Sequence, residues 1–374
     1  MPSPPSPLGA LVTRDAATLR SAPGRWFGRP SLTARPDGTW VLVYRDAPEH
    51  GPSTDSSFHV AFSTDEGETW TDDDTTPEGE AVEGFPHTRP DADVSDATVK
   101  HHRGDLLFHV SEERDAGGWR GTRQLRSTDG GRTWTDEGIL DPAGIEPESV
   151  LLGQDDAVHP DTGAIYEGVN YRTPGDGPVA SKSGLLRSTD GGHSWEYAAD
   201  VTEFGDGTGE LGITFVDGDL LACCRAFDDT GTYVRRSPDG GETWGELRSV
   251  EELGLFQKAR LYTPGDIGSD AHDNQWVYAV GRHVIDFDLD LDRGDERRHV
   301  RGSQHTAITA SPDAGETWYE PVHLDEFAWP APFGDCGYCD LRIREDGSLY
   351  VVTYGGHSYD GPADLYAHVL EERP

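Results

Sequence analysis

The chain has 374 residues and sets 69 Asp and Glu against 31 Lys and Arg, a net charge of −38. A surface this acidic repels nucleic acid and anionic membranes, so neither is expected as a partner. Ten Trp, thirteen Tyr and twelve Phe supply core area that a disordered acidic chain lacks. The N-terminus, MPSPPSPLGALVTRDAATLRS, shows no basic start followed by an apolar run. No stretch approaches the roughly 18 apolar residues of a membrane span. These features point to a soluble, cytoplasmic protein.

In chain order, a short N-terminal strand is expected near Ala10–Arg20. A two-strand unit follows at Ser31–Tyr44 around Asp37-Gly38, and similar units recur at Val94–Val110 around Gly104-Asp105, and at Ser149–Val169 around Thr162-Gly163. Three more occupy Ile213–Arg225 around Asp217-Gly218, Arg260–Val280, and Leu341–Tyr354 around Asp346-Gly347. Between these units an eight-residue motif appears five times, at Ser63–Trp70, Ser127–Trp134, Ser188–Trp195, Ser237–Trp244 and Ser311–Trp318. Its consensus is Ser-Thr/Pro-Asp-x-Gly-x-Thr/Ser-Trp. The Asp carboxylate suits nearby backbone N–H groups in a turn, and Gly supplies a positive φ. Thr or Ser begins the returning strand, and Trp packs into the core. These aspartates are therefore read as structural.

Repetition removes the two-domain expectation that length alone would suggest. The motif resembles the Asp box of the sialidase (neuraminidase) superfamily, where it joins the third and fourth strands of propeller blades, and the resemblance spans nearly the whole chain. It implies an all-β fold: a six-bladed β-propeller of four-stranded antiparallel blades with Asp-box turns, residues 1–374 forming one domain. The N-terminal segment is expected to complete the last blade and so remove a free sheet edge. The acidic, lysine-poor composition also resembles that of halophilic proteins.

In such a propeller both turn classes lie on one face. The opposite face gathers the starts of first strands, Arg29, Asp96, Glu148, Glu210, Arg260 and Tyr338, with the ends of second strands, Arg45, Arg114, Arg172, Arg225, Arg282 and His357. A ring of arginines in a strongly acidic chain suits bidentate binding of a carboxylate or sulfate; salt bridges closing the channel are the alternative.

Two segments resemble sialidases closely. Gly209-Glu210-Leu211 with Arg225 is similar to the catalytic Glu and an arginine of the sialidase triad. Gly337-Tyr338-Cys339-Asp340-Leu341 is similar to the segment carrying the nucleophilic tyrosine. A sialoside carries a carboxylate on its anomeric carbon, which repels a carboxylate nucleophile. A neutral phenol deprotonated by a neighbouring Glu avoids that cost. The resemblance thus implies Tyr338 as nucleophile, Glu210 as its base, and Asp46 or Asp55 as general acid. Arg29, Arg45, His50, Arg225, Arg282, Arg301 and His357 are the candidate substrate-binding residues. Two departures stand out. The first triad arginine usually precedes Ile-Pro, whereas here Phe27-Gly28-Arg29-Pro30 moves it one place. The glutamate that usually supports that arginine is replaced by Thr353-Tyr354-Gly355.

The leading expectation is a sialidase-like exo-glycoside hydrolase acting on a glycan with an acidic terminal sugar. The alternatives are a lyase or hydrolase of uronic or sulfated glycans, and a non-catalytic propeller that binds a glycan or protein. Cys336 and Cys339 have zinc-ligand spacing, but adjacent Cys223 and Cys224 would point to opposite faces of a strand. All four are expected to be buried thiols, and neither metal nor cofactor is called for.

Overall fold

The computed structural model describes residues 11–372 apart from 52, 91, 115–117, 147–149, 174–181, 203–207, 227–230, 268–274, 286–288, 294–295, 301–303, 325–334 and 357–360. Nearly all its regular structure is antiparallel sheet. Four separate four-stranded sheets begin at the strands Asp93–His102, Val150–Val158, Thr208–Val216 and Leu255–Tyr262. In each, chain order is spatial order, apart from a two-stranded ribbon (Leu289–Arg293 and Glu296–Val300) inserted in the last. Consecutive strands joined by short turns pair as hairpins because their twist and register already match.

The remaining strands form one nine-stranded sheet rather than two free-standing blades. Trp26–Ala34 opens one antiparallel array and Ala363–Glu372 belongs to the other; a single parallel pairing, Trp26 with Ala363, joins them. The sequence count of six separate blades is therefore corrected to four separate sheets and one composite sheet. Leu11–Arg20 pairs antiparallel with Ala363–Glu372, from Leu11 opposite Glu372 to Arg20 opposite Leu365.

The first strands of successive sheets pack against one another and surround a common axis. Apolar cores lie between arrays that follow one another in the chain. Phe58, Val60 and Phe62 meet Val99, Leu106 and Phe108, and Leu221, Cys223 and Val234 meet Phe256, Leu261 and Val277. Tyr350, Val352 and Leu365 meet Trp26, Leu42 and Tyr44, which closes the ring. The molecule is an all-β propeller.

The five repeated motifs are turns of one design. Asp129 Oδ1 accepts from the Ser127 hydroxyl at 2.8 Å and from Thr133 N at 3.0 Å, while the Thr133 hydroxyl donates to Oδ2 at 2.8 Å. The same bonds recur around Asp65, Asp190, Asp239 and Asp313. These carboxylates are consumed by the turn, and none of them lines the cavity described below. The motif's invariant glycine leans on the preceding array. A Cβ on Gly131 would stand 2.9 Å from the Phe62 ring, and one on Gly315 would stand 2.8 Å from Leu221, both at positive φ. The motif thus sets each turn and also the approach of neighbouring sheets.

Candidate functional site

One irregularity recurs in the axial strands. The pairing register breaks between Gly28 and Ser31, Val94 and Ala97, Gly153 and Asp155, Gly209 and Gly212, and Gln257 and Arg260. In the sixth position, Gly337, Tyr338 and Cys339 separate the strand pieces Asp335–Cys336 and Asp340–Ile343. A bulge re-aims a side chain out of the pleat. Here the residues at these breaks are Arg29, Asp96, Gln154, Glu210, Lys258 and Tyr338, and all six line one cavity at one end of the axis. Arg29, Glu210 and Lys258 adopt left-handed backbone, with φ of 52°, 52° and 51°. Such a conformation costs a non-glycine residue about 1–2 kcal/mol, so the ring of inward side chains is maintained against local preference. The cavity measures about 20 Å³, room for about one water-sized group.

Within the ring, Arg29 Nη1 lies 3.1 Å from Asp96 Oδ1, and Lys258 Nζ lies 3.2 Å from Asp96 Oδ2. Lys258 also donates to Gln154 Oε1 at 2.6 Å. Burial pushes the Asp96 carboxyl up, but Arg29 and Lys258 outweigh it and hold the group well below the ordinary carboxylate range. Glu210 behaves alike: burial raises it, and Arg225, 2.9 Å away, with Lys258 brings it below its usual value. Tyr338 lies under three cations, with Lys258, Arg29 and Arg282 at 5.0, 5.2 and 5.3 Å from its ring centre. Burial, reinforced by Asp96, raises the phenol well above its usual value, so it is protonated at rest. Among the described residues no hydrogen bond joins Tyr338 to Glu210, although both face the cavity.

Behind Tyr338 sits a buried carboxylate that the sequence reading did not single out. Asp335 accepts from Trp26 Nε1 (3.1 Å), Tyr354 Oη (2.7 Å) and Arg282 Nη2 (3.0 Å), and meets His50 Nδ1 at 2.5 Å. Burial raises its carboxyl, but His50 and Arg282 outweigh that. Burial lowers His50 against the opposing pull of Asp335. The missing glutamate at Thr353-Tyr354-Gly355 is the signal that could have led here. Tyr354 fills that place and donates to Asp335, while Arg29 takes its carboxylate from Asp96.

The predicted site residues divide. Tyr338, Glu210 and Arg29 line the cavity; Arg225 is paired to Glu210 and Arg282 to Asp335. His50 is buried with its ring edge toward Tyr338, 5.8 Å between centres. Arg45 is not at the cavity. It is fully buried, and its guanidinium donates to the carbonyls of Val94, Glu49, His50 and Gly51 and to Asp93. Asp46 and Asp55 both clamp Arg25, at 2.6 and 3.0 Å, and neither lines the cavity. Arg260 also lines the cavity, tied to Asp340 at 2.6 Å, while the register break brings Lys258 into the ring beside it. Gln154 occupies the place assigned to Glu148. Glu148, Arg301 and His357, and the side chain of Arg114, lie outside the described residues. All four cysteines are buried free thiols.

The arrangement can hold one small anionic group among cations, beside a protonated phenol and an ionised carboxylate. Comparison with known proteins adds three observations. The BNR repeat-like domain family matches residues 87–351. A sialidase of Micromonospora viridifaciens is 26% identical over 266 residues, a match spanning 65% of this chain and 37% of that protein. Among solved structures, a protein of unknown function from Dyadobacter fermentans superposes with a TM-score of 0.70 at 19% identity, covering 97% of this chain and 100% of its own. The Hadza microbial sialidase Hz136 gives 0.65 at 19%, covering 91% and 65%. The Trypanosoma rangeli sialidase bound to the inhibitor DANA gives 0.62 at 15%, covering 96% and 60%. At these identities the structural likenesses speak for the fold.

Proposed function

The chain belongs to the BNR repeat-like, sialidase-type propeller family, and from that premise we propose that it is an exo-acting glycoside hydrolase of a glycan ending in an acidic sugar. Sialic acid is the first substrate class to test. The observation that carries the reading is the convergence of Tyr338, Glu210 and Arg29 on one cavity from three separate strand irregularities, two in the composite sheet and one in the sheet that begins at Thr208–Val216.

In this reading the substrate's anionic group enters the cation cluster, and the anomeric carbon stands over the Tyr338 hydroxyl. That oxygen bonds to the anomeric carbon as the glycosidic bond breaks. The phenolic proton passes to Glu210, and the leaving oxygen takes a proton from an acid. Water then hydrolyses the glycosyl–tyrosine bond. A neutral phenol suits this role, since an anionic nucleophile would meet the substrate's own charge. The acid role falls to one of the two carboxylates that clamp Arg25, Asp46 or Asp55.

A binding propeller is the second reading. The observation favouring it is that both carboxyls lining the cavity, Asp96 and Glu210, are held in the ionised form, while Asp46 and Asp55 face Arg25.

The test is release of a fluorogenic aglycone from an α-sialoside in molar potassium chloride, chosen for the acidic composition, with wild type and Tyr338→Phe compared. Turnover that collapses on the order of a thousandfold in the variant supports the hydrolase. Turnover that survives the substitution removes the tyrosine mechanism. Binding without turnover in folded wild type favours the binding propeller. With a poorer leaving group, whichever of Asp46→Asn and Asp55→Asn loses more rate identifies the acid.

A further inference from the structure

Lys258 is one of three lysines in a chain that otherwise relies on arginine for positive charge. It lies in the ring of register breaks, in left-handed backbone, with its side chain 11% exposed. A long cation placed there at a conformational cost points to a role at the site, since strain of this kind persists where the surrounding fold enforces it.

The charge pairing shows what that role is. Arg282 has Asp335 as partner and Arg225 has Glu210. Arg29 and Lys258 instead share one carboxylate, each taking one oxygen of Asp96. At the site four cations, Arg29, Lys258, Arg282 and Arg225, thus meet three carboxylates, Asp96, Asp335 and Glu210. The surplus positive charge lies between Arg29 and Lys258, which flank the ring at 5.2 and 5.0 Å. An uncompensated charge in a water-poor site is a strong attractor for one anion. The cavity between these residues has room for one small group and not for a sugar ring.

We propose that Lys258 is a specificity-determining residue, and that Lys258 and Arg29 together receive the single carboxylate of the substrate. Gln154, which accepts from the ammonium at 2.6 Å, positions it. This rests on reading the cavity as an acidic-sugar site and adds which residues meet the acid. Arg282 and Arg225, each held by a carboxylate of its own, contribute field, while the direct contact falls to the pair that shares Asp96.

The experiment is calorimetric titration of wild type, Lys258→Met and Lys258→Arg with DANA, with glucuronate, and with the methyl ester of each. Melting midpoints check that the variants are folded, and Lys258→Arg keeps the charge if Lys258→Met fails to fold. The expected result is an affinity loss of about tenfold or more for the free acid in Lys258→Met, no change for the ester, and substantial recovery in Lys258→Arg. Equal losses on acid and ester, or no loss, would overturn the inference. If wild type binds glucuronate and not DANA, the sialic acid reading fails, and the glucuronate pair still decides the role of Lys258. If wild type binds neither acid, the inference falls.

Discussion

Arg225 Nη1 stands 2.9 Å from Glu210 Oε2, and this pairing keeps a buried carboxylate ionised beside Tyr338. If Glu210 is the base, activity needs its ionised form and falls as pH drops through its pKa. Because that value lies below the ordinary glutamate range, the acid limb of kcat/KM in wild type should too. Arg225→Met leaves burial to push the carboxyl up, so the limb should move to higher pH by about one unit or more. A pH–rate profile reads this directly; an unmoved limb would assign the titration to another group.

Arg45 should prove structural. Its substitution by Met strands Asp93 and four carbonyls that now receive its N–H groups. Breaking a buried pair from one side costs about 3–5 kcal/mol, readable as a lower denaturant midpoint. KM of the folded fraction should change little. A raised KM at unchanged stability would place Arg45 in contact with substrate.

Asp155 predicts a pH dependence of stability. It is buried beside the axis, accepting from Ile213 N at 3.1 Å, and burial, opposed by Lys100 and Arg260, pushes its carboxyl up to about 7. The unfolded chain releases that proton near pH 3.9. Between about pH 4 and 7 the folded state therefore binds more protons, and this residue's effect is to lower stability as pH rises through that window. Asp155→Asn keeps an accepting oxygen and loses the charge. It should be more stable than wild type above pH 7, by about 2–4 kcal/mol at most, with the gap closing toward pH 4. Urea unfolding at pH 4.5 and 8 tests this; a pH-independent difference would contradict it.

Gly131→Ala should destabilise by about 2 kcal/mol or more. The added Cβ meets the Phe62 ring at 2.9 Å and the backbone sits at φ 94°, so overpacking and left-handed strain act together. Gly38→Ala is the control: it has positive φ (84°) and nothing within 4 Å, and should cost only the conformational part, about 1 kcal/mol.

Much of the molecule was legible in the chain because it depends on local chemistry. The five Ser-x-Asp-x-Gly-x-Thr/Ser turns build themselves from bonds within a few residues, and the Asp-Gly hairpins likewise, so turn placement follows from composition and spacing. Tyr338 and Glu210 were legible through motifs a few residues long. The identity of the ring was not. A register break between Gln257 and Arg260 turns Lys258 into the cavity beside Arg260, and such a bulge is not legible from residue alternation. Pairing with distant residues decided the rest. Asp335 meets Trp26 across 309 residues, Lys258 meets Asp96 across 162, and the Trp26–Ala363 bridge merges two arrays into one sheet. Such contacts depend on how the sheets close around the axis, and sequence by itself therefore determined the repeats and their turns, while tertiary structure alone decided which charges share a partner and which carry surplus.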